Sequence, residues 1–350
     1  MRVFLLLCLI PILLAGSCEK EKPAANRDRN PHYRVMFYNV ENLFDAADDP
    51  LINDAEFLPG SNKKWTHERY QDKLDKIARI IGDVGHDTLP ILVGLCEIEN
   101  RRTLDDLLSK SPLASQDYRI VHRESPDYRG IDVALLYRAN YFNLLSQHFF
   151  PVWFPFDTAV RTREILYAKG ILGGKDTLHV FVNHWPSRSS GEVESRPLRA
   201  FVASAVRARV DSILAGSSHA NIVITGDLND EPQDLSIVSA LRARLAFDDP
   251  KSGELYDLTA LLKSGYPGGT YKYKGTWNQL DHMVISGSLM DTTRSLYART
   301  ADMHVFTASR ILEEDTEYMG DRPFRTYLGP YYHGGYSDHL PVFLDIHFRR

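Results

Sequence analysis

The residues with chemical capability in this 350-residue chain fall at the ends of short apolar runs. One such run, Ile222-Val223-Ile224-Thr225, is β-branched and reads as a buried strand. It breaks at Gly226 and delivers Asp227, Asn229 and Asp230. Asp227 and Asn229 are two apart and share a face if the extended backbone continues, offering an acceptor and an amide to one small space. The same residues also make a simple turn, because Gly, Asn and Asp dominate turns for backbone reasons. The rest of the chain repeats the pattern. Asn39 with Glu41, Glu97, His184, Asp281, and Asp338 with His339 each follow an apolar or aromatic run. Six strand ends, each with an acid, an amide or a histidine, exceed what turns alone require.

That set is the equipment of metal-assisted phosphoester hydrolysis. Hard oxygen donors suit Mg²⁺ or Mn²⁺ rather than zinc, and such an ion neutralises charge developing on a phosphoryl group. A carboxylate, or a histidine held by one, positions or deprotonates water, while amides and imidazolium stabilise the transition state. Taken singly the residues have plainer readings: His184 beside Trp185 fits a satisfied core histidine, and Asp338 fits a cap. Arg188, just past His184, and Arg129 are loop cations that either meet a phosphate or stay solvated. Glu99 reads as a solvent or salt-bridge residue. The four tryptophans read as packing, with Trp185 and Trp277 near enough to the motifs to stack on a substrate.

The elements that must position these groups alternate along the chain. Strands are expected at Tyr33–Tyr38, Pro90–Cys96, Tyr118–Val121, Ile131–Tyr137 and Tyr141–Phe149. Arg163–Leu172 and Thr177–Asn183 make a hairpin across Gly173-Gly174, and further strands lie near Thr270–Gly275, Gln279–Ser286 and Leu340–Phe348. Spacing of apolar residues predicts helices over Glu68–Ile81, from Thr103 to Leu108, over Pro197–Leu214 and near Leu235–Leu245. The segments Asp45–Lys64 and Leu289–Gly335 have no clear period. Hairpins and crossover-like steps together favour mixed sheets in one domain.

The amino-terminal residues differ from the rest. Arg2, an apolar run from Val3 to Leu14 and small residues before Cys18 describe an export signal over residues 1–17, too short for a comfortable membrane span. Small residues directly before Cys18 resemble the lipobox of bacterial lipoproteins, with Ala15 in place of the usual Leu. That resemblance implies a lipidated Cys18, export, and anchoring to a cell-envelope membrane; an ordinary signal cleaved near Ala15 is the alternative. Residues 18–31 are charged and aperiodic, a tether. The folded domain is placed at 32–350. Of three cysteines, only Cys96 then lies in the folded part, after an apolar run, and reads as a small core residue. Loss of residues 1–17, with Arg2, takes the formal charge from −5 to −6, which argues against tight non-specific nucleic-acid binding. No protein partner is inferred.

The motifs resemble, in order, those of the endonuclease/exonuclease/phosphatase superfamily, from about Tyr33 to Phe348. Asn39-Val40-Glu41 is similar to its opening Asn-x-Asp/Glu motif, and Leu95-Cys96-Glu97 to its Gln-Glu or Cys-Glu motif. Asn183-His184-Trp185-Pro186-Ser187 and Gly226-Asp227-Leu228-Asn229 are similar to its central motifs. Leu280-Asp281-His282 and Ser337-Asp338-His339-Leu340-Pro341 are similar to its closing ones. The departures are Cys96, where Gln is commoner, and Glu41, where many members have Asp. The resemblance implies a four-layer α/β sandwich, two mixed β-sheets face to face with helices outside. It implies Glu97 as principal metal ligand, supported by Asn39, Glu41 and Asp338. Asp227 would hold the attacking water, Asn229 contact the phosphoryl oxygen, His339 act as acid/base oriented by Asp281, and His184 steady the charge. The implied substrate is a phosphoester: nucleic acid is the leading class, and lipid or inositol phosphates or a non-catalytic binding role are the alternatives.

Overall fold

A computed structural model describes residues 32–349, apart from 87 and 190 and the side chains of 263 and 264. The export signal, the tether and lipidation at Cys18 fall on residues 1–31 and lie outside the described residues. Among the described residues no helix is long and apolar enough to cross a membrane.

Two seven-stranded sheets carry the chain. In chain order their strands are β1 (His32–Leu43), β2 (Leu92–Ile98), β3 (Tyr118–His122), β4 (Asp132–Arg138), β5 (Phe142–Phe150), β6 (Ile165–Leu172) and β7 (Asp176–His184). There follow β8 (Asn221–Asp227), β9 (Ala243–Arg244), β10 (Leu255–Asp257), β11 (Asp281–Ser286), β12 (Leu296–Tyr297), β13 (Met303–Val305) and β14 (Val342–Phe348). The first sheet has the order β12-β14-β1-β2-β4-β3, with β13 also on β14. The second has the order β5-β6-β7-β8-β11-β10-β9. Both are mixed: β1 with β2 and β7 with β8 are parallel, while β14 runs against β1 and β11 against β8.

The side-chain period of two sorts each strand between two cores. In β1, Val35 and Phe37 enter the core between the sheets, while Met36 and Tyr38 enter the core beneath helices α1 (His67–Gly85) and α2 (Arg101–Ser109). In β8, Val223 faces the first sheet, and Ile222 and Ile224 face helix α3 (Glu192–Gly216). Three apolar cores thus separate four layers, helix–sheet–sheet–helix, as the resemblance implied. Gly94 lets the sheets close: a Cβ there would lie 3.1 Å from Phe37 and 3.2 Å from Val182.

Local chemistry sets the helix ends. Thr66 accepts from Arg69 N and starts α1, and His86, at φ 51°, stops it. Helix α3 starts earlier than Pro197 because Gly191, at φ 108°, breaks the chain ahead of Glu192. The helix expected near Leu235–Leu245 is only a π-type turn, Ser236–Leu241, ended by Arg242 at φ 59°. The strand expected over Thr270–Gly275 is half of a small hairpin, Tyr271–Tyr273 with Thr276–Asn278. Cys96 is fully buried between the sheets, as expected.

Phe37 is wholly buried against the second sheet. Phe37→Ala should lower unfolding stability by about 3–5 kcal/mol, the usual cost of emptying such a site. Urea unfolding measures it, and a loss below 1 kcal/mol would mean that the inter-sheet core is not packed as described.

Candidate active site

The period of two that fills the inter-sheet core also builds the site. Asn39 follows Val35 and Phe37 in parity. His184 follows Leu178, Val180 and Val182, Asp227 follows Val223, and Asp281 precedes Met283 and Ile285. Each is the polar terminus of a column of side chains pointing between the sheets. The sequence reading placed all of these groups at strand ends, and that needs correction. Asp281 opens β11, and His339 lies ahead of β14. They reach the same rim because their strands run antiparallel to β8 and β1. Asp281 pairs in register with Asp227, and so does His184 on the other side.

Glu97 does not follow the parity rule. Leu95 faces the helix layer, and regular backbone would send Glu97 there too. A shift in the β2–β4 register and a left-handed Glu97 (φ 62°) turn it to the rim. There Glu97 Oε2 accepts from Asn42 N at 2.9 Å, and Oε1 lies 3.5 Å from Asn39 Nδ2. Glu41, Asn42 and Asn229 are left-handed as well. Gly226, at φ 156°, is required by close approach, since a Cβ would sit 2.2 Å from Asn183 O.

Asp227 is the centre. Its Oδ2 accepts from Asn39 Nδ2 at 3.0 Å and lies 3.7 Å from His184 Nε2 and 3.8 Å from His339 Nε2. Its Oδ1 accepts from Asn229 N at 3.1 Å. Burial, with Asp281 and Glu97 nearby, outweighs His339 and Asn39 and pushes this carboxyl up to about 7. The two histidines are driven apart. Burial, then Arg163, Arg129 and His339, hold His184 well below its usual range, so it is neutral. Burial also pulls on His339, but Asp281 and Asp227 more than offset it and raise it well above that range. His339 Nδ1 donates to Asp281 Oδ2 at 2.7 Å, and the Tyr271 ring lies against the imidazole at 4.8 Å, tilted by 33°. A neutral and a charged imidazole on either side of one carboxyl are an acid/base assignment set by environment.

A cavity of about 600 Å³ opens over this floor, lined by Glu97, Arg129, His184, Arg188, Asp227, Asn229, Asp338 and His339. Asn229 Nδ2 spends one hydrogen on Trp185 O and has a second for a ligand. Arg188 is tied to Asn229 O, Asp230 and Asp234, and Arg129 to Asn42 Oδ1. Tyr271, Tyr273 and Asn278 also line the cavity; the sequence reading did not single them out, and only Tyr271 and Tyr273, in an aromatic-alternating run, carried any signal of it. Glu41 is buried apart from this floor, its carboxylate on Thr326 N and facing Arg325. Trp185 is wholly buried and not available to stack on a ligand. Glu99 corrects the sequence reading: it is buried, accepts from Asp45 N, and burial pushes it up to about 8.

The donor set suits a divalent cation. Asp227, Asp281 and His339 bring ligand atoms within 4.8 Å of one another. Asp281 and Asp227 favour the charged form of His339, and a protonated imidazole has no lone pair to give such an ion. Glu97 is the better fit: it lines the cavity, and among the described residues no Lys or Arg forms an ion pair with it. Asp281 Oδ1, buried without a hydrogen-bond partner, is a further oxygen with capacity to accept.

A family model described as the Endonuclease/Exonuclease/phosphatase family matches residues 34–348. Among solved structures the chain is similar to humanized D. rerio TDP2, at 14% identity and TM-score 0.55 over 90% of this chain and 98% of that one. It is similar to the human Nocturnin catalytic domain with bound sulfate anion, at 17% identity and TM-score 0.55 over 91% and 96%. An endonuclease/exonuclease/phosphatase family protein from Bacteroides thetaiotaomicron gives 16% identity and TM-score 0.53 over 92% and 96%. No curated protein matches the chain.

The Asp227 shift has a definite sign. A carboxyl raised from 3.8 to about 7 on folding favours the fold below pH 4 and loses that contribution as pH rises through 7. The melting temperature of Asp227→Asn should therefore gain on wild type between pH 4 and pH 7 and level off above that. A gap independent of pH would show that Asp227 titrates in the ordinary carboxylate range.

Proposed function

The chain belongs to the endonuclease/exonuclease/phosphatase family, which implies a divalent-metal-dependent phosphoester hydrolase, and from that premise we propose an exported, lipid-anchored, Mg²⁺- or Mn²⁺-dependent phosphodiesterase acting as a nuclease. The observation that carries the chemistry is Asp227 between two histidines, His184 held neutral and His339 held charged. Glu97 would hold the ion, which when bound neutralises charge on the phosphoryl group.

The remaining roles belong to the chain's own side chains. Asp227, with its acid constant near neutrality, takes the proton of the attacking water, since a base is most effective when its pKa lies near the working pH. Asn39 fixes that carboxylate through Oδ2, and the Asn229 backbone fixes it through Oδ1. The free amide hydrogen of Asn229 meets a phosphoryl oxygen. His339, charged and held by Asp281, gives a proton to the leaving oxygen from Nε2. His184 donates from a neutral ring, which keeps repulsion between the two imidazoles low. Arg129, at the cavity wall, contacts a neighbouring phosphate, while Arg188 holds the Asn229 loop in place.

The nuclease preference rests on the family likeness, on Arg129 and on the tyrosines of the cavity wall. Purified full chain with Mg²⁺ or Mn²⁺ is expected to cleave plasmid DNA or RNA, and Asp227→Ala and His339→Ala to lose orders of magnitude in rate, as groups acting in the transition state do. Cleavage of sphingomyelin or an inositol phosphate alone would move the substrate class, and activity unaffected by chelator would remove the metal. The anchor has its own test: wild type should incorporate labelled fatty acid in cells and Cys18→Ala should not, and equal labelling would reject lipidation at Cys18.

A further inference from the structure

Asp230 follows Asn229 in the chain, yet none of the chemical steps assigned above uses it. It is 1% exposed and does not line the cavity. A carboxylate out of water needs partners that replace the water, and Asp230 has them on every side. Arg199 Nε lies 2.7 Å from Oδ1, and Arg188 Nη2 reaches the same oxygen at 3.4 Å. Ser236 Oγ donates to Oδ2 at 2.6 Å. The backbone oxygen of Asp230 accepts from His282 Nε2 at 2.9 Å, and His282 Nδ1 meets Asp257 Oδ2 at 2.8 Å.

These partners come from distant parts of the chain. Arg199, wholly buried, lies in the second turn of α3. Its terminal nitrogens donate to Ser195 Oγ at 2.6 Å, Glu192 O at 3.2 Å and Pro186 O at 3.4 Å. Ser236 opens the π-type turn, and His282 is the second residue of β11. Asp230 therefore ties the end of β8 to α3, to the segment after β7 and to β11. What it secures is the neighbouring Asn229, which is left-handed at φ 54°. Such a conformation persists only where the surroundings over-determine it. On the cavity side Asn229 is held by Asp227, Trp185 and Arg188, and Arg188 is itself partly exposed.

We propose that Asp230 is a positioning residue for the reaction: it locks the turn after β8 from the buried side, so that the Asn229 amide stays where a phosphoryl oxygen meets it. The inference rests on the phosphoester-hydrolase reading above and adds a residue that touches no substrate. A displacement of about 1 Å in such a group can cost on the order of 100-fold in rate. A purely structural Asp230 would lower the melting temperature and leave the chemistry of the folded enzyme unchanged.

Steady-state kinetics of the full chain with saturating Mn²⁺, on fluorophore–quencher-labelled DNA and RNA oligonucleotides, sphingomyelin and an inositol phosphate, test this on whichever substrate wild type cleaves. Asp230→Asn should lower kcat by about 10–100-fold with KM within about threefold of wild type. In an Asn229→Ala background the same change should cost no more than about twofold further, because both act through one amide. A kcat within twofold of wild type in folded Asp230→Asn, a loss confined to KM, or a full additive loss on Asn229→Ala would each overturn the inference while leaving the hydrolase. Asp230→Asn leaves Arg199 buried beside a neutral group, so its fold is checked by melting. If it does not fold, Asp230→Leu with Arg199→Met removes both charges together, which an interior tolerates better than losing one. The same kcat loss and the same non-additivity are expected of that pair, and their absence overturns the inference equally. Wild type inactive on all these substrates would remove the hydrolase reading itself, and this inference with it.

Discussion

A carboxyl as deeply buried as that of Asp227 keeps a usable charge only if the surrounding fold supplies hydrogen bonds and positive charge to replace water. Here the replacement comes from both sheets at once. Asn39 and His339 reach it from the first sheet and its approach, His184 and the Asn229 backbone from the second. The two sheets must therefore pack at one fixed separation and register. Phe37, Gly94 and Val182, which meet beneath the site, set that separation.

The opposition of the two histidines follows from where their neighbours lie. His184 closes a parallel strand and sits near Arg163 and Arg129, so positive charge and burial both keep it neutral. His339 approaches from the antiparallel side, where Asp281 and Asp227 wait, and carries charge. Identical side chains receive different chemistry from the charges that surround them. Antiparallel neighbours also explain how Asp281, at the start of its strand, meets Asp227 at the end of another.

Backbone strain collects on this rim. Glu41, Asn42, Glu97 and Asn229 all adopt left-handed conformations, which cost an ordinary residue about 1–2 kcal/mol. Three of the four donate a backbone bond within the rim: Glu41 N to Asn39 Oδ1, Asn42 N to Glu97 Oε2, and Asn229 N to Asp227 Oδ1. The strain buys direction, since regular strand geometry would send Glu97 under the helices.

By itself the sequence determined the strand columns and their polar termini. Period-two alternation marks Val35, Phe37 and Asn39, or Val180, Val182 and His184, as sharing a face, because side chains on a strand alternate whatever the strand packs against. Motif order then identified the family and the four layers. Tertiary structure alone decided the rest. Which strands run antiparallel, and hence that Asp281 and His339 enter the rim from their starts, depends on pairing between residues more than 50 positions apart. The burial of Glu99 depends on a loop folding over it. The placement of Arg325 and Lys73 beside Glu41 joins α1, β1 and the segment before β14, with no local pattern to announce it. The energies that select those contacts, burial and charge pairing, are properties of neighbours in space, and a linear spacing does not contain them.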